Sequence, residues 1–253
     1  MLNSLDIYAV IFFVAILQSV FGVGVLLIGT PILILIGYPY FEVLSLTLPA
    51  SLVISLSQVA KYYRHVNLYL LKRAIFFAVP TIFIGMLFGS YLGNFVGIVM
   101  GLFLFLTSFE SNIRLVLPDN LSETRTSIVF LLVGIIQGTT SLGGAILPSI
   151  VNRCCDLKEH KLAMTAAIYV LFQLTQILYI LLNKAPLNFS KSVTCVFIGY
   201  FTYAIIGKKL FHAIKNGGYS KYLQIFIRGV AIILISIKLY YIKSSISGHL
   251  GEE

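Results

Sequence analysis

Long runs of apolar residues constrain this chain more than any other feature of its sequence. A helix needs about 20 predominantly apolar residues to cross the hydrocarbon core of a bilayer. Runs of about this length or longer occur at about residues 5–36, 42–60, 74–92, 95–117, 127–151, 162–182, 187–206 and 223–242. Only 11% of the residues are charged, against about 25% in a soluble domain, too few to cover a water-facing surface. The sequence therefore predicts an all-α polytopic membrane protein with eight hydrophobic segments and a single transmembrane domain over residues 1–253.

Two of these runs contain residues that disfavour helices. They read QSVFGVGVLLIGTP at 18–31 and QGTTSLGGAILP at 137–148. Glycine and proline weaken helices, and lipid solvates hydroxyl groups poorly. Moreover, run 5–36 as one straight helix would be about 48 Å long, against a hydrocarbon core of about 30 Å. We therefore expect a kinked, unwound or partly re-entrant helix at each of these two glycine-rich stretches.

The two halves of the chain resemble each other on either side of the mixed-charge stretch 118–126. Pro31 is followed eleven residues later by Glu42, and Pro148 is followed eleven residues later by Glu159. The alternative is that Gly/Pro-rich membrane helices look alike through composition alone. We favour two homologous four-segment repeats, each opening with a Gly/Pro-broken helix. The predicted repeats cover about residues 5–117 and 127–243.

Internal repeats with paired broken helices are typical of secondary transporters. The unpaired N–H groups and the dipole at a half-helix N-terminus attract anions. We therefore predict a small anionic substrate, bound at the two glycine-rich stretches and at glutamines near them. The candidate residues are Ser19, Gly22, Gly24, Thr30, Pro31, Gln58, Gln137, Gly138, Thr139, Thr140, Ser141, Gly143, Gly144, Pro148 and Gln173.

Each type of candidate has a structural interpretation beside the functional one. Small residues allow membrane helices to pack closely, and hydroxyls cap helices or bond to a carbonyl one turn earlier. The amides of Gln18, Gln58, Gln137 and Gln173 are either substrate contacts or interhelical hydrogen bonds. In this comparison Gln58 of the first half corresponds to Gln173 of the second.

Charged residues near the apolar runs also allow two interpretations. Those after the second stretch form either an electropositive vestibule or a solvated loop: Arg153, Lys158, His160 and Lys161. Arg228, inside the last segment, is either functional or extends to the nearby interface. Glu42 and Glu159 are either proton carriers or partners of helix N-terminal dipoles.

The distribution of basic residues constrains the topology. The strongest basic connections are 61–73, with Lys61, Arg64, Lys72 and Arg73, and 207–221. Eight simple crossings would place these connections on opposite sides, whereas the positive-inside rule places both in the cytoplasm. We therefore favour a segment that does not cross fully, which gives an odd number of crossings per half and inverted repeats.

Several function classes lack their expected residues. Cys154, Cys155, Cys195 and the histidines have no metal-ligand spacing, and no G-x-x-x-x-G-K-[ST] nucleotide motif is present. The net charge of +9 fits membrane topology better than nucleic-acid binding. We therefore expect no catalytic residue, metal, cofactor, nucleotide or nucleic acid. A membrane-embedded enzyme and a non-transporting scaffold remain alternatives, although neither class requires two equivalent half-sites.

The two stretches resemble a known family. SVFGVGVLLIGTPILILIG with YPYFEVLSLTLPASL, and GTTSLGGAILPSIVNRCCDLKEHKLAMTAAI, are similar to the two glycine-rich signatures of the TauE/SafE family of sulfite exporter-like permeases. The resemblance covers essentially the whole chain. It implies a plasma-membrane permease that moves sulfite, sulfonates or related organic anions. The paired breaks predict alternating access around them, and the proton is a candidate coupling ion. Leu142 stands where the family often has glycine, so the resemblance leaves the particular anion open.

Overall fold

A computed structural model describes residues 4–92, 123–184 and 188–215, together with the isolated positions 100, 218, 219, 222, 225 and 229. The predicted segments 95–117 and 223–242 therefore lie almost entirely outside the described residues, and so does Arg228.

Every regular element in these described ranges is a helix, as predicted. The helices are α1 (Ser4–Phe21), α2 (Val25–Leu35), α3 (Tyr40–His65), α4 (consecutive segments Leu68–Arg73, Ala74–Ala78 and Val79–Leu92), α5 (Glu123–Thr140), α6 (Leu147–Cys154), α7 (Lys158–Leu182) and α8 (Phe189–Ala213). A short 3₁₀ turn, Gly143–Ala145, precedes α6. In the described part of the chain, α1, α3, α4, α7 and α8 are long and apolar enough to cross a membrane.

The helices extend further than the apolar runs, and here the predicted connections were wrong. Stretch 61–73 is mostly helical: α3 continues to His65 and α4 begins at Leu68. Asn67 permits this sharp restart, because its Oδ1 accepts hydrogen bonds from the N–H groups of Tyr69 (2.9 Å) and Leu70 (3.3 Å). Hydropathy marks only the hydrocarbon-embedded part of a helix, whereas Lys and Arg side chains let helices continue into the interface.

The same correction applies to the other two predicted connections. Helix α8 continues through the start of stretch 207–221 as far as Ala213. Helix α5 begins at Glu123, inside the stretch 118–126 that separates the predicted repeats.

Run 5–36 is a helical hairpin. The N–H of Val25 donates to the Oε1 of Gln18 at 3.0 Å, and a Cβ added to Gly29 would lie 3.2 Å from a methyl carbon of Val14. Helix α2 therefore folds back along α1. We call the turn between them, Gly22–Gly24, the first break.

A second hairpin joins α5 to α6. The 3₁₀ turn that follows α5 lies back against it, since a Cβ on Gly143 would be 2.7 Å from the carbonyl oxygen of Val133. We call residues 141–142 the second break. Gly22 and Ser141 end their helices in the left-handed region, with φ of 76° and 60°. This conformation suits glycine but is uncommon for serine.

Helices α3 and α7 are antiparallel and run through the centre of the bundle. The Nε2 of Gln173 donates to the Oγ of Ser51 at 2.5 Å, and the rings of His65 and His160 have centroids 4.5 Å apart. Because Gln173 lies midway along α7 and Ser51 midway along α3, this contact marks the middle of the bundle.

The two basic connections lie at the same end of the protein. The Nζ of Lys61 is 2.9 Å from the Nε2 of His212, and the Nζ of Lys158 donates to the carbonyl oxygen of Phe211 at 3.1 Å. We call this the basic end, and the other the opposite end. Eight simple crossings are incompatible with this contact, whereas a returning limb in each half is compatible with it.

Helices α4 and α8 each pack against the hairpin of the other half of the chain. Helix α4 runs parallel to α5, with a 2.9 Å ion pair between Arg73 and Glu123 near their starts. Helix α8 runs parallel to α3 and packs along α1: a Cβ on Gly207 would overlap the side chain of Ser19. The two halves of the chain therefore interlock.

Close backbone approach between α4 and α5 depends on glycine. A Cβ on Gly138 would overlap the carbonyl oxygen of Ile82 and lie 2.8 Å from the Cα of Gly85. We predict that Gly138→Ala lowers stability by roughly 1–3 kcal/mol, although alanine favours helices. The thermal midpoint in detergent measures the effect. Gly229→Ala is the matched control, because its added methyl would meet nothing within 4 Å. Equal midpoints for the two variants would contradict the close α4–α5 packing.

Candidate functional site

The returning limbs of the two hairpins begin beside each other at mid-bundle. The first turn of α2, Val25–Gly29, contacts the 3₁₀ turn Gly143–Ala145. Val25 is held by Gln18, which bonds to Ser51 midway along α3. Gly144 packs against Tyr169, midway along α7. Two helical segments therefore start at the centre of the protein, where their exposed backbone needs polar partners.

Gln18 organises the first break. Its Oε1 accepts hydrogen bonds from the Val25 N–H (3.0 Å) and the Ser51 hydroxyl (2.8 Å). Its Nε2 donates to the Ser51 carbonyl (2.9 Å) and the Ser55 hydroxyl (3.1 Å). Gln58 adds two bonds from α3, donating to the carbonyls of Gln18 (2.9 Å) and Ser19 (3.1 Å). The Gln18 amide thus joins α1, α2 and α3.

A second amide pair organises the second break. The Nε2 of Gln137 donates to the Oε1 of Gln176 at 2.9 Å. The Nε2 of Gln176 in turn donates to the Gln137 carbonyl (3.1 Å) and the Ser141 hydroxyl (3.0 Å). The Tyr40 hydroxyl lies 3.4 Å from the Ser141 hydroxyl. These contacts hold Ser141 in its left-handed conformation.

Among the described residues, five buried side-chain polar atoms have no hydrogen-bond partner. These are Tyr38 Oη, Gln58 Oε1, Gln137 Oε1, Tyr169 Oη and Gln173 Oε1. Two of them converge on the second break. Gln137 Oε1 lies 3.1 Å from the position that a Cβ on Gly143 would occupy, and a Cβ on Gly144 would overlap the Tyr169 hydroxyl. Since leaving such groups unpaired is costly, their convergence marks a place where a ligand could supply partners.

Most predicted hydroxyls bond within their own helices or to a neighbouring hydroxyl. Thr139 and Thr140 donate to the carbonyls of Ile135 (2.9 Å) and Ile136 (2.7 Å). Ser19 donates to the Ala15 carbonyl at 2.6 Å, and Thr30 lies 3.3 Å from the hydroxyl of Thr47. These contacts favour the structural interpretation of the four hydroxyls.

The predicted glycines and prolines divide between the centre and the packing surfaces. Gly143 and Gly144 lie at the centre, beside Gln137 and Tyr169. Gly22 and Gly24 shape the first break: Gly22 faces Thr165 of α7, and Gly24 lies against the backbone of Gln18. Gly138 lies at the α4 contact. Pro31 and Pro148 are both buried, and each sits in the first turn of an α-helical segment.

Sequence reasoning missed Gln176, Ser51, Ser55, Tyr40 and Tyr169. The spacing comparison assigned Gln173 as the counterpart of Gln58. In the structure Gln176 plays that part, because each donates to the backbone carbonyl of the glutamine near its break. Gln173 instead bridges to Ser51 of the other half. Gln58 and Gln176 are 118 residues apart, close to the 117 residues that separate Pro31 from Pro148. The sequence therefore did contain a signal for this correspondence.

Neither interpretation of Lys158, an electropositive vestibule or a solvated loop, fits its position in the structure. Lys158 is the one buried charged side chain among the described residues, and it donates to the carbonyls of Phe211 (3.1 Å) and Ile214 (2.5 Å). It therefore binds the C-terminal end of α8, a favourable position for a cation. His160 packs on His65 nearby. Glu42 and Glu159 lie in the first turns of α3 and α7, as helix-dipole partners would.

The described residues contain no group of three or more His, Cys, Asp or Glu side chains placed to hold a metal. Cys155 and Cys195 are buried, whereas Cys154 is exposed.

Apolar helices that enclose two helix breaks and a buried amide network define an integral membrane protein with a polar centre. A family model for the sulfite exporter TauE/SafE matches residues 7–239, nearly the whole chain. The chain therefore belongs to this family of membrane transporters. Searches among curated proteins and among solved structures each found no match.

The Gln18 network yields a stability prediction. Gln18→Leu removes the only described partner of the Val25 N–H and the hydrogen bonds from Gln18 to the hydroxyls of Ser51 and Ser55. Each buried polar group left unpaired costs about 1–3 kcal/mol. We expect a large fall in thermal midpoint. Gln58→Leu should cost less, because the Gln18 carbonyl keeps its bond from the Gly22 N–H at 2.8 Å. Equal losses in the two variants would show that Gln18 does not organise the break.

Proposed function

We propose that this protein is a secondary transporter that moves small anions, such as sulfite, sulfonates or related organic acids, across the plasma membrane by alternating access. One observation carries this proposal. The returning limbs of two helical hairpins begin side by side at mid-bundle, where Gln137 Oε1 and the Tyr169 hydroxyl are buried without partners. This is where transporters built from repeats bind their substrates.

The chemistry of the centre suits a small anion of low charge. The N-terminal ends of α2 and of the turn before α6 offer the positive ends of helix dipoles and backbone N–H groups other than that of Val25, which Gln18 already binds. The described residues place no charged side chain beside them, since the one buried cation, Lys158, is bound at the basic end. Attraction by dipoles and hydrogen-bond donors alone favours monoanions over ions of higher charge, whose dehydration costs more.

Inverted repeats are part of the proposal. Helices α1–α3 and α5–α7 each form a hairpin followed by a long helix, and α3 and α7 run in opposite directions. An inverted duplication of half the chain accounts for both features. It also accounts for two hairpins that approach the centre from opposite ends.

Alternating access would then use the interlocked packing. Helix α8 packs along the first hairpin and α4 along the second, so each moving unit contains helices from both halves of the chain. The contact between the two breaks is the interface at which the units would slide. The bridge from Gln173 to Ser51 and Ser55 crosses that interface. A proton gradient is the coupling to test first.

The positive-inside rule places the basic end in the cytoplasm. Cys154, exposed beside the start of α7, lies at this end, whereas Ser190 lies at the opposite end in the first turn of α8. We predict that a membrane-impermeant maleimide labels Cys154 in inside-out vesicles and not in intact cells. In the Cys154→Ser background, Ser190→Cys should show the reverse pattern. Labelling of Cys154 from outside the cell would show that the orientation is the reverse of the one proposed.

The transport proposal is tested by anion flux in proteoliposomes. We would compare sulfite, sulfoacetate, taurine and simple carboxylates, with and without a proton gradient. Tyr169→Phe removes a hydroxyl that has no partner in the described structure, so stability should stay equal or rise slightly. If this hydroxyl donates to the substrate, flux at low substrate concentration should fall about tenfold.

Thr139→Val is the matched control for Tyr169→Phe. It also removes one hydroxyl, but that hydroxyl is half-buried and bonded to its own helix. Flux should therefore be unchanged in this variant. Wild-type protein that is folded and moves none of the anions would refute the proposed substrate class. Full flux in Tyr169→Phe would place the site elsewhere.

A further inference from the structure

The orientation of the Gln137 amide is set by its neighbours. The backbone carbonyl of Gln137 can only accept, so the Gln176 group that contacts it at 3.1 Å must be the Nε2. The Oε1 of Gln176 therefore faces Gln137 and requires a donor there, which is the Nε2 of Gln137 at 2.9 Å. The remaining atom of Gln137, its Oε1, points towards Gly143. If the Gln137 amide were reversed, its oxygen would face the Oε1 of Gln176, and two acceptors would lie against each other.

Gln137 Oε1 is therefore a fixed acceptor that has no donor in the protein. It is fully buried at the start of the second returning limb, against Gly143, and the Tyr169 hydroxyl lies against the next residue, Gly144. A bare anion offers only acceptors, so it could bind the backbone N–H groups and the tyrosine hydroxyl but would leave Gln137 Oε1 unpaired. A ligand that carries an O–H or N–H group could satisfy all of them.

We propose that Gln137 makes this site selective for anions that carry a hydrogen-bond donor, its Oε1 accepting from an O–H or N–H of the ligand. This inference rests on the proposed function and deepens it. The preferred ligands are monoprotonated oxyanions and anions bearing a hydroxyl or amino group. Fully deprotonated anions and those with only alkyl substituents bind more weakly, because they leave a buried amide oxygen without a partner.

The test uses pairs of anions that differ by one hydroxyl group: ethanesulfonate with 2-hydroxyethanesulfonate, and acetate with glycolate. Each competes with the uptake of radiolabelled sulfite into proteoliposomes. We expect the hydroxylated member of each pair to compete at about tenfold lower concentration, as one hydrogen bond to a buried acceptor predicts. Equal competition within both pairs would overturn the inference.

Gln137→Met and Gln176→Met form the matched pair of variants. Both break the Gln137–Gln176 hydrogen bond, but only Gln137→Met removes the unpaired oxygen. Selectivity within each pair of anions should be lost in Gln137→Met and only reduced in Gln176→Met, which keeps the Gln137 oxygen but removes the partner that orients it. Tyr169→Phe should weaken both members equally and leave their ratio unchanged. Selectivity that survives Gln137→Met, or that disappears equally in both methionine variants, would overturn the role of Gln137.

A binding measurement separates this inference from transport itself. Anions that bind the folded protein raise its thermal midpoint in detergent, and at equal concentration the tighter-binding anion raises it more. Donor-bearing anions should raise the wild-type midpoint more than their partners at equal concentration. If such anions stabilise the protein but none is transported, the proposed function fails while the selectivity stands. Transport of all anions with equal stabilisation would leave the function and refute the selectivity. This comparison needs only the wild-type protein, so it can be made even if a variant does not fold.

Discussion

Side-chain amides that replace lost helical hydrogen bonds are the interaction on which this structure depends. A helix that ends inside a membrane leaves backbone groups that neither lipid nor water can satisfy. Gln18 supplies an acceptor to the first N–H of α2, and Gln176 holds Ser141 at the end of α5. Without these amides neither chain reversal is tolerated at that depth. The hairpins, the meeting of their limbs and the polar centre all follow from them.

The two glutamines that precede the breaks, Gln18 and Gln137, differ in how completely their amides are satisfied. Gln18 uses both its amide atoms, each twice, whereas the Oε1 of Gln58, which reaches the same break from α3, has no partner in the described structure. At the second break, Gln137 Oε1 and the Tyr169 hydroxyl remain unpaired.

The helical membrane class followed from apolar runs and charge content, and the glycine-rich stretches located both breaks. The direction of α2 did not follow, because only contacts in the structure, those of Val25 with Gln18 and of Gly29 with Val14, distinguish a return from a kink. Among the candidate residues, Gly143, Gly144 and Gln137 lie at the centre, but Gly138 and Thr139 face α4. Helical periodicity alone does not tell which face meets another helix. Tyr169 lies in an apolar stretch where no motif or spacing marks it as a site residue. Its contact with Gly144 in the structure identifies it.

The interlocking of α4 and α8 has a consequence for biogenesis. The chain emerges from the ribosome with α1 first, yet the helix that covers α1 and α3 is α8, the last of the long described helices. Until α8 inserts, the small-residue face around Ser19 that accommodates Gly207 meets lipid. Helix α4 likewise gains its contacts with α5 and α7 only after those helices have been synthesised. The contacts of α1 and α3 with α8 can therefore form only after the chain beyond residue 189 has been synthesised and inserted.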